Sequence, residues 1–122
     1  MKDQLVSFET AKLAKEKGFD EAVINYYMDS ELSMSRYRIP EKFNSCNNGS
    51  IAAPTQSLLQ KWLREVKLMT VIVSPHGSYE YDVDIYTNKI GEVITFNESS
   101  QVYEKMLEYG LQKALKLLSS NT

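Results

Sequence analysis

A chain of 122 residues has the size of one domain, here expected to be 1–122, and can bury one core. Its 14 Lys and Arg against 16 Asp and Glu leave a net charge of −2, which gives no general attraction to nucleic acid or anionic lipid, so neither is expected as a partner. Cys46 is the only cysteine, excluding an intramolecular disulfide. No apolar run is long enough to span a bilayer, and Met1–Val6 has no apolar leader core, so the cytoplasm is the expected location.

In chain order, the first element is a helix that Ser7 can cap, with Phe8, Ala11 and Ala14 on one face. Gly18 supplies a left-handed stop, after which Phe19 can fold back on Ala14. Residues 22–28 are rich in β-branched and aromatic types and predict a strand. Residues 34–39 alternate, and predict a returning strand with Met34, Arg36 and Arg38 opposite Tyr37 and Ile39; Pro40 ends it or places it at an edge. Residues 44–50 form a turn-rich loop, and the long irregular stretch from Asp29 to Ala53 is the first place to look for function.

A second helix is predicted to start near Pro54 or Thr55. Leu59, Trp62, Leu63 and Val66 form its apolar stripe, with Gln60, Lys61, Arg64 and Glu65 facing outward. The apolar run 68–73 and the alternating run 79–86 predict an antiparallel hairpin around a Ser-Pro-His-Gly-Ser turn. A short strand over 93–96 precedes a last helix from about Ser99 or Ser100 to Leu118. Its face is Tyr103, Met106, Leu107, Gly110, Leu111, Ala114, Leu117 and Leu118. Gly110 in mid-stripe costs about 1 kcal/mol against Ala unless something packs closely there. The expected fold class is α+β: a mostly antiparallel β-sheet with three helices packed on it.

Glu80, Asp82 and Asp84 share one strand face and invite comparison with a hard-cation site, but no second segment offers further ligands, and a solvated face accounts for them. No metal or other cofactor is expected. His76 and Cys46 could serve a small hydrolase only if the fold joined them, and no motif announces that. Arg36, Tyr37, Arg38, Lys42 and Phe43 lie close together, after Tyr26 and before Asn47. Arginines grip phosphate, aromatic rings stack on bases and asparagine reads base edges, so this set suits a nucleotide-like ligand. The plainer reading is a sheet edge whose aromatics pack inward. No glycine-rich phosphate loop is present, so side chains would have to hold such a ligand. Arg64 is free to face solvent or to reach a partner subunit.

The segment Ile51-Ala-Ala-Pro-Thr-Gln-Ser-Leu-Leu-Gln-Lys-Trp-Leu-Arg-Glu-Val66 resembles a family of small proteins from tailed phages and prophages. The opening Val6–Phe19 and the closing Tyr103–Leu118 resemble the same family, so that about half the chain is covered. One departure is Lys67, where a histidine is expected after Val66. The chain is further similar to the Thoeris anti-defence sponge proteins of phages. That resemblance implies a non-catalytic protein that sequesters a cyclic ADP-ribose-type signal in the host cytoplasm. On the residues themselves, the ligand contacts expected are Tyr26, Arg36, Tyr37, Arg38, Phe43, Asn47 and Arg64, in a homo-oligomer. The alternative is a protein-binding inhibitor of a host enzyme, using an exposed helix face or sheet edge.

Overall fold

The computed structural model describes residues 3–46 and 48–118, and its architecture is α+β. Helix α1 (Phe8–Glu16) starts where the Ser7 hydroxyl accepts from Thr10 N–H. It stops at Gly18, whose φ of 98° lets Phe19 N–H reach back to Ala14 O at 2.9 Å. Phe19 is thereby driven into the core, edge-on to Trp62 at 5.4 Å between centroids. Both punctuation marks act as their chemistry predicts.

The strands form two three-stranded antiparallel sheets instead of a single one. In the first, β1 (Asn25–Met28) lies between β2 (Glu31–Met34) and the short β3 (Ile51–Ala52). Asp29 and Ser30, at φ 54° and 66°, make the tight turn that joins β1 to β2. In the second, β5 (Glu80–Tyr86) lies between β4 (Thr70–His76) and β6 (Val93–Thr95). The expected hairpin is present, with Val73 opposite Val83 at its middle, but Ser74, Pro75 and His76 belong to its first strand and only residues 77–79 turn the chain. The apolar run 68–73 does not begin the strand, however. Leu68 is instead the exposed residue that ends the preceding helix.

That helix, α2 (Gln56–Val66), is capped by Thr55, whose hydroxyl accepts from Leu58 N–H at 3.2 Å. Leu59, Trp62 and Leu63 are buried as predicted. Val66 is not, being 58 % exposed in the last turn. Gln60 does not face outward idly: its amide donates to Val71 O on β4 at 2.6 Å. Helix α3 (Tyr103–Leu117) packs on β4 and β5 through Met106, Leu107, Gly110, Leu111, Ala114 and Leu115. Its stripe closes differently from expectation, since Leu115 is buried and Leu117 is half exposed. Gly110 is required by packing. A methyl group there would stand 2.5 Å from Val83 Cγ2 and 2.8 Å from Val71 Cγ1.

A polar node ties the helices together. The Glu108 carboxylate accepts from Ser7 N–H at 2.9 Å, from the Thr10 hydroxyl, and from the Gln56 amide at 2.9 Å. Gln56, 1 % exposed, also donates to Glu104 O. Its own N–H bonds Gln4 O at 2.7 Å, while buried Pro54 accepts from Val6 N–H at 3.0 Å. Pro54, Thr55 and Gln56 therefore dock the N-terminal segment, cap α2 and anchor α3, in that order. The carboxylate also stands at the positive end of α1, where a negative charge is stabilising.

Candidate ligand-binding turn

The predicted strand over residues 34–39 stops at Met34. Arg36–Arg38 form a 3-10 turn, with Tyr37 at φ 61° and Arg38 at φ 57°. The cause is Ser35, which is buried and donates its hydroxyl to Ile39 O at 2.7 Å. A serine side chain that bonds the local main chain competes with strand pairing. Arg38 N–H then closes on Ser35 O at 3.2 Å. Both feet of the loop stand on the lead into β1: Ser35 N–H on Ile24 O at 2.8 Å, and Glu41 paired in both directions with Val23.

The result is a small projecting loop with Arg36, Tyr37 and Arg38 at its crest. All three are exposed, Tyr37 by 85 %. Two successive side-chain-bearing residues in left-handed backbone cost of order 1–3 kcal/mol each, and such strain concentrates at sites of function. A guanidinium on either side of a wet phenol offers forked donors to an anion and a face to a planar ring.

The other candidate residues are placed differently. Tyr26 and Phe43 stack on each other, with centroids 4.3 Å apart and planes 27° from parallel, and Phe43 is buried. They lie on β1 and on the 3-10 turn Phe43–Ser45, not on the crest. Asn44 pins that turn by donating to Phe19 O at 2.7 Å and accepting from Ala52 N–H at 2.8 Å. Asn47 lies outside the described residues. Arg64 is exposed on α2, a helix whose main contacts are with α3 and β4. Arg36, Tyr37 and Arg38 thus share one turn, while Tyr26 and Phe43 stack on each other and Arg64 stands on α2.

Beside the loop's return lies an apolar cleft of about 240 Å³, walled by Leu5, Val23, Ile24, Pro40, Ala53 and Leu58. Pro40 belongs to both features, so the arginines stand near a surface that suits an uncharged ring. Sequence reasoning missed this cleft, because its walls come from four separated segments and none of them carries a motif.

Two further groupings were singled out. His76 Nδ1 lies 2.7 Å from Asp82 Oδ2 across the β4–β5 hairpin, while Cys46 directs its thiol to Lys42 O at 3.7 Å beyond the first sheet. Glu80, Asp82 and Asp84 line the outer face of β5, opposite His76, Ser74 and Ile72. Among the described residues, no group of three or more His, Cys, Asp or Glu is arranged to hold a metal ion, and no helix is long and apolar enough to cross a membrane. No protein-family model, curated protein or solved structure matches the chain.

Proposed function

We propose that this chain is a phage anti-defence protein that binds and sequesters a cyclic ADP-ribose-type nucleotide in the host cytoplasm, without catalysis and as a homo-oligomer. The observation that carries the reading is the strained Arg36–Tyr37–Arg38 crest beside an apolar cleft. The guanidinium groups would hold the pyrophosphate, with Tyr37 stacking on the base. A sponge has only to bind, so exposed side chains on a braced loop are sufficient machinery. Arg64 enters only if a second subunit brings it to the ligand.

Calorimetry with cyclic ADP-ribose isomers tests the reading. Wild-type protein should bind one isomer and release it chemically unaltered on denaturation. Replacing Arg36 and Arg38 together with Ala should weaken binding by about 100-fold or more, since charged hydrogen bonds contribute about 1.5–3 kcal/mol each. A hydrolysed product, or no binding to any isomer, would sink the idea.

A second reading rests on the outer face of β5. Its three carboxylates, flanked by half-exposed Ile72 and Tyr86, suit contact with a basic protein surface. An inhibitor of a host enzyme would recover that enzyme stoichiometrically from lysate, and charge reversal at Asp84 would abolish the capture.

A further inference from the structure

A sheet edge is an open row of donors and acceptors, and proteins commonly blunt it. On the second sheet this chain does so twice. The Gln60 amide occupies Val71 O on β4, and Pro75 in the same strand has no N–H to offer. Strand β6 is only three residues long. On the first sheet, the edge strand β2 is four residues long and is charged only at Glu31. It has no proline, no lysine and no bulge, and Leu32 and Met34 are 51 % and 50 % exposed.

The register shows which groups are open. Asn25 O accepts from Ala53 N–H, so the main chain of Asn25 faces β3 and its partner across the ladder, Met34, turns N–H and C=O outward. Leu32, two residues earlier and opposite Tyr27, does the same. The segment is also charge-polarised, with Asp29 and Glu31 before Ser33 and with Arg36 and Arg38 after it. Such a strand is complementary to itself when reversed.

We propose that β2 pairs antiparallel with β2 of a second copy about a twofold axis at Ser33, joining the two first sheets into one six-stranded sheet. In this register Leu32 lies opposite the partner's Met34, and the reverse, so four apolar side chains gather on one face. The same two residue pairs exchange the main-chain hydrogen bonds, because theirs are the outward groups. The basic end of each strand runs beside the acidic end of the other. Twofold symmetry normal to the sheet requires paired residues to share a face, and pairing even-numbered with even-numbered residues meets that condition. The pairing does not rest on the ligand reading. It brings the partner's Asp29–Ser30 hairpin beside Arg36, and leaves Tyr37 and Arg38 beyond the paired segment.

Sedimentation equilibrium of the full chain tests the proposal and should give about twice 14.0 kDa. Replacing Leu32 and Met34 together with Lys sets like charges across the pair and should raise the dimer dissociation constant about 100-fold or more, with the circular dichroism unchanged. A second test does not depend on that variant folding. In a Cys46→Ser background, Ser33→Cys should oxidise to a linked dimer, since residues facing each other at a non-hydrogen-bonded position lie about 4.5 Å apart at Cα. Glu31→Cys should stay unlinked, its two copies being more than about 12 Å apart. A monomer at about 0.1 mM, a dimer indifferent to the lysines, or a Ser33→Cys chain that stays reduced would each overturn the pairing. So would protection of the β2 amides from exchange only when a foreign protein is added, which would give the edge to a different strand.

Discussion

Gln56 puts a neutral amide where three helices meet, and its two N–H groups are both used, one on Glu104 O and one on Glu108. A methionine there would keep the volume and lose both donors, leaving the carbonyl and part of the carboxylate short of partners. Gln56→Met should therefore cost about 1–3 kcal/mol in urea denaturation at neutral pH, with the fold retained. Nothing in the sequence marked this residue as buried. Polar side chains are mostly exposed, and the pattern of apolar positions along α2 passes over it. Ser7, Thr55 and Gly18 were legible because a cap or a stop is set by the residue and its immediate neighbours. Gln56 depends on Glu108, 52 positions away, and no local signal carries that.

At the scale of elements, the strongest departures from expectation occur where ordinary residues take left-handed backbone. Tyr37 and Arg38 turn a predicted strand into a crest, and Leu68 at φ 58° ends α2, with Met69 N–H reaching back to Leu63 O at 3.0 Å. Glycine announces such a position in sequence; tyrosine, arginine and leucine do not. Leu68 is 62 % exposed, so its side chain contributes little burial to offset the strain. Leu68→Gly should stabilise the protein by about 0.5–1 kcal/mol and Leu68→Val should destabilise it, both measured as shifts in the denaturation midpoint at unchanged slope. The three helices, β1, the β4–β5 hairpin and β6 were readable from residue type and periodicity, whereas β2 and β3 were not. The division into two sheets was not, because which strands pair is set by contacts between separated segments, such as Tyr26 with Ala52. The Arg36–Arg38 group was legible as composition, while its projection from a braced loop was not.

For the whole molecule, Tyr27 joins the first sheet to the helices. Its ring meets Phe8 edge-on at 5.4 Å, and its hydroxyl donates to Val6 O at 2.8 Å. Burial, and secondarily the Glu108 charge, raise the pKa of this phenol above the usual 10.0. The unfolded chain thus loses the proton at lower pH than the native one. The resulting contribution to stability is fully present below pH 10 and is lost as pH rises through the native value. Tyr27→Phe should flatten the alkaline limb of the stability curve, and at neutral pH should cost about 1 kcal/mol for the missing hydrogen bond. Trp62, buried and the only tryptophan, reports the transition by fluorescence.

The Glu108 node also sets a schedule for biosynthesis. Ser7 and Glu108 are 101 positions apart, so the N-terminus of α1 waits for most of the chain to be made before it meets its carboxylate. At about 5–20 residues per second that interval is about 5–20 s, during which the Ser7 amide lacks its carboxylate partner. Helix α3 brings both Glu108 and the surface that covers Val71 and Val83. Folding of the described residues therefore waits for α3 to dock, and a product truncated before α3 is a client for chaperones and proteases rather than a smaller version of the protein.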